Sequence, residues 1–279
     1  MRSMRRAAAS PTTYLERFCH RLADSWTVLT FGLPFGALPT RVHVGKTTLY
    51  LKQWSGSLVG SGGYVWGASR RLCTYLEAYG DGSPINGSAS EVQSRAVDTL
   101  RLLSLGSGAG ACGLAAAVLG FAHVTLSDQA SFRYPMGDGD GLTPPAQTLL
   151  DLARENVRWN EDTLSRSLAN VSVARLLWGD RADHDALTHA TYDVICGSDI
   201  LLFTEALPQL LTTLRCLSND ATVVLIEHTD RGLWESQTAY SYPPELERFF
   251  KAIEEDGLWQ PSVVRDVGRH ITLRMVRRK

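Results

Sequence analysis

Residues 101–128, RLLSLGSGAGACGLAAAVLGFAHVTLSD, decide how the rest of the chain is read. Leu102, Leu103 and Leu105 make a short apolar run, and glycines follow at 106, 108, 110 and 113. An alanine-rich helix is expected over residues 114–119, stopped by Gly120, and a second strand over residues 123–126 ends at Asp128. Strand, glycine turn, helix and strand in this order are a βαβ start. Glycine has no Cβ, so the backbone bends sharply and lets a ligand approach closely. The helix N-terminus behind such a turn presents unpaired N–H groups and a positive dipole end. A carboxylate at the tip of the second strand accepts hydrogen bonds from ribose hydroxyls. The stretch therefore reads as a nucleoside-cofactor site. Gly106, Ser107, Gly108 and Gly110 form its turn, and Asp128, followed by Gln129, forms its ribose end.

Two cofactors compete for that turn. Gly108, Gly110 and Gly113 satisfy the dinucleotide fingerprint G-x-G-x-x-G, and Asp128 stands at about the ~20-residue offset that fingerprint requires. An NAD(P)-dependent oxidoreductase is one reading. The glycine series begins earlier, however, at Gly106 directly after Leu105. The resulting Gly106-Ser-Gly108-Ala-Gly110 resembles the first motif of Rossmann-like methyltransferases that use S-adenosylmethionine (SAM). The turn alone does not separate the two.

Composition narrows the classes. The chain of 279 residues suits one large α/β domain, residues 41–279, behind an N-terminal extension, residues 1–40. A formal charge of −1 gives no reason to expect nucleic-acid or membrane affinity, and a monomer is expected. No apolar run approaches the ~18 residues needed to span a bilayer. The 5 cysteines are scattered and form no C-x-x-C, which points to a reducing compartment and no metal site. Asp138 and Asp140 lie in a glycine-rich loop but lack the downstream Glu of an EF-hand. The cytoplasm is the expected location. Residues 1–10, MRSMRRAAAS, are Arg-containing and acid-free, which keeps a mitochondrial transit peptide as the alternative.

Along the chain, residues 42–53 read as a β-hairpin broken at Gly45 and Lys46. Residues 66–79 carry Ala68, Leu72, Tyr75, Leu76 and Tyr79 at helical spacing. A Gly/Pro-rich loop over residues 131–147 delays the next helix, residues 148–160. A third strand, residues 171–177, runs into Trp178-Gly179-Asp180. There Trp178 offers adenine a flat apolar partner, and Asp180 an acceptor for its exocyclic amine. A fourth strand, residues 192–197, leads into Ser198-Asp199. Open parallel sheets bind ligands at the carboxyl ends of strands near the switch in strand order, so this pair should face the reacting group. Asp199 is equally a good helix N-cap for the residues from Thr204 on. A fifth strand, residues 221–226, ends at Glu227-His228, and His228 is a candidate base or substrate ligand. Residues 263–267 and 271–276 form a closing hairpin.

Several of these features resemble one family. A hairpin ending Leu51-Lys-Gln53, then glycines, Val65-Trp66 and an amphipathic helix containing Tyr75-Leu76-Glu77 is similar to the methyltransferase-like, seven-β-strand protein-lysine methyltransferases. Trp178-Gly179 and Gly197-Ser198-Asp199-Ile200 match two further motifs of that family. The resemblance implies a Rossmann-like seven-stranded sheet with an antiparallel C-terminal hairpin, SAM as cofactor and a protein lysine as acceptor. It implies that Trp66 lies against SAM, Trp178 beside the adenine and Ser198 on the cofactor, with Asp199 lining the lysine channel. The chain departs from the pattern at Ser104, where relatives carry an acid, at Gly67, and at Phe203, one step late for the substrate aromatic. A histidine or small-molecule methyltransferase, the NAD(P) oxidoreductase and a non-catalytic SAM-binding interaction protein remain as alternatives.

Overall fold

The glycine turn stands at the centre of a seven-stranded sheet, at the carboxyl end of its middle parallel strand. A computed structural model describes residues 40–53, 60–80, 95–130, 148–165, 170–188, 191–230 and 244–278. All of them fall in the unit Pro34–Lys279. Of the expected extension, residues 1–40, all but Thr40 lie outside the described residues, the transit-peptide stretch included, and so does the loop holding Asp138 and Asp140.

Strands β1 (Thr40–Val44) and β2 (Thr47–Leu51) form the expected hairpin, a separate two-stranded sheet. Helix α1 is Gly67–Gly80. The βαβ start follows as β3 (Arg101–Leu105), α2 (Ala111–Val118) and β4 (His123–Asp128). Then come α3 (Leu149–Trp159), β5 (Val171–Arg175), α4 (Arg181–Leu187) and β6 (Val194–Ser198). The chain closes with α5 (Leu207–Leu217), β7 (Val223–Thr229), α6 (Pro244–Asp256), β8 (Trp259–Val267) and β9 (His270–Arg277).

The sheet order is β5-β4-β3-β6-β7-β9-β8. The first five strands pair in parallel, and β9 is antiparallel to both β7 and β8. The last strand is thus inserted beside the fifth, as the resemblance implied. The direction of winding reverses between β3 and β6, so ligand chemistry belongs above those two carboxyl ends.

Alternation along the strands builds two apolar layers. Leu102, Cys196 and Leu225 face α1, α2 and the hairpin, whereas Leu103, Ile195 and Val224 face α5 and α6. Each fully buried leucine contributes about 1.5–3 kcal/mol relative to exposure. The central strands are apolar on both faces because helices cover both faces.

Three of the differences from the sequence reading have a plain physical reason. Helix α2 begins at Ala111, directly after the turn, and so takes in Gly113. There a Cβ would overlap Leu126 of β4, so glycine is what lets helix and strand pack this closely. Strand β7 runs on through Glu227, His228 and Thr229, all buried, because β9 pairs with it to the end. Helix α4 was not foreseen. It starts because the Asp180 side chain accepts the N–H of Asp183 at 3.1 Å, an N-cap.

The hairpin is fastened to α3 by two asparagines. Asn160 accepts the Tyr50 N–H at 2.9 Å and donates to the Tyr50 carbonyl at 2.8 Å. Asn156 repeats this on Lys52 at 2.7 and 3.0 Å, and also donates to the Ala109 carbonyl inside the glycine turn at 2.9 Å. Helix α3 itself begins with a capping box between Thr148 and Asp151.

No helix among the described residues is long and apolar enough to cross a membrane. None of their His, Cys, Asp and Glu side chains cluster as a metal site. Cys73, Cys112 and Cys196 are buried; its hydrogen bond to Cys112, then burial, hold the Cys73 thiol well above its ordinary range.

Candidate active site

The site has a backbone half and a side-chain half, on either side of β3. In the backbone half, Gly106, Gly108 and Gly110 all adopt positive φ, which lets the chain reverse between β3 and α2. Gly108 is the position that tolerates nothing larger. At φ +52°, a Cβ there would overlap the carbonyl oxygen of Gly62, which crosses over the turn in the short 3-10 segment Gly60–Gly63. Gln53 fixes the chain just after this segment, accepting the Val65 N–H at 2.9 Å. Ser107 Oγ is buried and has no hydrogen-bond partner among the described residues.

Asp128 closes this half. Its two carboxylate oxygens accept the N–H groups of Gly108, at 2.7 Å, and Gln129, at 2.8 Å. The first bond ties the acid to the glycine turn, and each oxygen keeps a lone pair for a ribose hydroxyl. Burial pushes the carboxyl up to about 6, and the two N–H bonds pull in the opposite direction.

Trp178 is half-buried with its indole close to Gly106, placing a flat apolar surface beside the turn. Gly179 adopts φ +81° and donates its N–H to Thr213 at 3.0 Å. Asp180 commits Oδ1 to capping α4, and its Oδ2 lies 3.8 Å from the Arg175 guanidinium. Trp66 is half-buried at the head of α1 and meets Tyr64 edge-on at 6.1 Å.

The side-chain half lies at the ends of β6 and β7. Ser198 shares a hydrogen bond of 2.9 Å with Ser69 of α1. Asp199, 8% exposed, has φ +55° and is the one non-glycine residue with positive φ among those described. Such a conformation costs a non-glycine residue of order 1–3 kcal/mol, and it concentrates at functional sites. Asp199 precedes the 3-10 turn Ile200–Leu202 but makes no side-chain cap there. Its Oδ1 accepts the Thr229 N–H at 2.9 Å instead, so the capping alternative gives way to a tie between β6 and β7.

His228 is fully buried on β7. Its Nε2 is 3.3 Å from Glu245 Oε1 at the start of α6, and its Nδ1 is 3.9 Å from Asp199 Oδ1. On the opposite face of the strand, Glu227 pairs with Arg71 of α1 at 2.8 Å and accepts from Thr272 at 2.5 Å. Burial raises the Glu227 carboxyl, against the pull of Thr272 and Arg71.

Ser104 is buried in β3 and hydrogen-bonds Cys196. The site therefore carries no acid at the foot of its turn. Phe203 is 37% exposed at the start of the 3-10 turn Thr204–Ala206.

The sequence reading missed Gly62, Ser69, Arg71 and Glu245. A signal existed for Arg71. It shares the helical face of Ala68, Leu72 and Tyr75, and an arginine on a buried face calls for a buried acid.

Comparison with known proteins now places the chain. The lysine methyltransferase family's sequence profile matches residues 45–137 and 142–256. The chain belongs to the lysine methyltransferase family. It is 33% identical over 170 residues to protein N-lysine methyltransferase METTL21A of Xenopus tropicalis, covering 60% of each chain. Against the Danio rerio protein of the same name it is 30% identical over 189 residues, covering 66% of this chain and 70% of that one. The chain thus spans less than two thirds of the frog relative's length. A Streptococcus mutans protein provisionally described as a SAM-dependent methyltransferase shares the fold, with a TM-score of 0.50 at 13% identity, over 85% of this chain and 55% of that one.

Proposed function

We propose that this chain is a SAM-dependent N-methyltransferase whose acceptor is a lysine of a protein substrate. One observation carries the reading: Asp128 and Asp199, two buried carboxylates, stand at the ends of β4 and β6 on either side of the β3 glycine turn. This occurs in a chain of the lysine methyltransferase family.

The residues present fit SAM. Asp128 would hold the ribose hydroxyls, Trp178 would lie beside the adenine, and the turn with its buried Ser107 Oγ would receive the remaining polar groups. The family resemblance assigns Trp66 and Ser198 to the cofactor as well. SAM supplies a methyl group already activated on a sulfonium. The protein's task is then placement, and correct placement of two reactants is worth about 7–11 kcal/mol.

The acceptor is the harder half. A free lysine has a pKa of about 10.4 and must be neutral to act as nucleophile. Apolar surroundings such as Ile200 and Phe203 disfavour the ammonium. A carboxylate favours it, so Asp199 orients the amine and does not deprotonate it. No acid occupies position 104, so the methionine ammonium has to be held by other groups than in relatives. The reading also takes the protein as a cytoplasmic monomer without nucleic-acid or membrane partners. The free cysteines and the near-zero net charge support that view.

Calorimetric titration with S-adenosylhomocysteine, with NADH in parallel, tests the cofactor. Binding of the first alone is expected. Labelled SAM and lysate protein, followed by hydrolysis, then test the acceptor. Methyl-lysine is expected, and methyl-histidine or label confined to small molecules overturns the lysine assignment.

A further inference from the structure

The methyltransferase reading puts Asp199 at the acceptor site, and the structure shows what stands behind that residue. Asp199 holds a backbone conformation that side chains disfavour, so something must fix it there. Its own backbone N–H donates to the Glu227 carbonyl at 2.8 Å, and the Thr229 N–H reaches its Oδ1. Both ties come from β7. Between those two positions lies His228, whose side chain points to the face opposite Arg71 and meets Glu245 of α6.

The imidazole is fully buried, and its two nitrogens look in different directions. Nε2 lies 3.3 Å from Glu245 Oε1, within reach of a hydrogen bond. Nδ1 lies 3.9 Å from Asp199 Oδ1, too far for a hydrogen bond, and has no partner among the described residues. An unsatisfied buried nitrogen is costly, so its retention beside the acceptor carboxylate asks for a reason.

We infer that His228 and Glu245 are positioning residues for Asp199. They form a buried support in which Glu245 sets the imidazole and the imidazole backs the carboxylate that orients the acceptor amine. With a hydrogen on each ring nitrogen, Nε2–H donates to Glu245, and a movement of less than about 1 Å lets Nδ1–H donate to Asp199 Oδ1. The support reaches Asp199 from α6, an element that contributes nothing to the cofactor half. The inference rests on the methyltransferase reading for its kinetic consequence but not for its geometry.

The test uses the full chain. In Glu245→Ala, kcat at saturating SAM is expected to fall about tenfold to a hundredfold, the cost of a misplacement near 1 Å. KM for SAM and the affinity for S-adenosylhomocysteine stay unchanged. Glu245→Gln, which keeps an oxygen to accept from Nε2–H, restores most of the rate. His228→Gln behaves like Glu245→Ala. Independently of activity, the ring signals of isotopically labelled His228, assigned by their loss in His228→Gln, are expected to move in both Asp199→Asn and Glu245→Ala.

Unchanged kcat in folded Glu245→Ala overturns the inference. A parallel loss of rate and of S-adenosylhomocysteine affinity also overturns it, because that pattern is general damage. Ring signals indifferent to both variants do the same. If the wild-type chain transfers no methyl group, the methyltransferase reading fails, and the ring signals alone still decide whether the support exists.

Discussion

The two halves of the site are made of different material. Around the glycine turn, the site is made of glycine surfaces on a backbone whose Ser107, Gly108 and Gly110 N–H groups are bonded within the protein, and of one carboxylate tied to the turn by a 2.7 Å bond. At the ends of β6 and β7 they are ionisable side chains held from other elements: Glu227 pairs with Arg71 of α1, His228 meets Glu245 of α6, and Asp199 is tied to the Thr229 N–H of β7. A backbone site is set by local conformation and fails when a Cβ is added. A side-chain site is set by contacts between distant elements and fails when a partner is removed. The halves should therefore break separately.

The largest effect is expected from Gly108→Ala. The added Cβ overlaps the Gly62 carbonyl oxygen and φ is +52°. Backbone atoms cannot step aside as a flexible side chain does, so the turn itself has to move. Affinity for S-adenosylhomocysteine should drop by at least about a hundredfold, given that such backbone cradles act through close approach. Calorimetry measures this directly, and a loss below tenfold would show that the crossing of Gly62 is not fixed.

Next in size is Asp199→Ala, the matching break on the other side. Turnover should fall about a hundredfold, as for other losses of reactant orientation, while S-adenosylhomocysteine binds as before. Loss of binding in this variant would deny that the halves are separate.

A smaller effect, about tenfold, is expected from pH. The Asp128 carboxyl is raised to about 6, so about nine tenths of it is ionised at pH 7 and about one tenth at pH 5. Only the carboxylate accepts both ribose hydroxyls, so affinity for S-adenosylhomocysteine should weaken about tenfold between those pH values. In Asp128→Asn the profile should be flat across that range. The sign for the ligand-free protein is the opposite. The folded state keeps a proton that the unfolded chain loses near pH 4, so this group's contribution to stability is present below that pH and is lost as pH rises through about 6.

The same difference in material explains what could be read from the sequence. The turn was legible because glycines at 106, 108 and 110 and an acid at 128 are local signals with a local cause. So were the end of α3 at Asn160 and the two-residue break at Gly45. The support behind Asp199 was not legible, because Glu245 sits 46 positions from Asp199 and nothing in PELERFF marks it out from ordinary first-turn acids. His228 was picked out as a lone histidine. Its burial follows from β9 pairing along the whole of β7, a contact between strands whose register no local pattern reveals. Asp180 was legible as an acid near the adenine but not as the cap of α4, a short helix without strong periodicity.

The smallest expected effects fall on the two asparagines of α3, and they sharpen the boundary of the backbone half. Among the described residues the Asn160 side chain bonds β2 and its own helix, whereas Asn156 also holds the Ala109 carbonyl within the turn. Each alanine variant leaves backbone groups without a partner, those of Tyr50 in β2 or of Lys52 just after it, at about 1–3 kcal/mol in stability by denaturant titration. Their effect on the ligand should differ. Asn160→Ala should leave affinity for S-adenosylhomocysteine unchanged, because the hairpin loosens at its far end while Ala109 stays held. Asn156→Ala should weaken it a few-fold, because the freed Ala109 carbonyl lies between Gly108 and Gly110. Equal effects from both would extend the backbone half to include the hairpin itself.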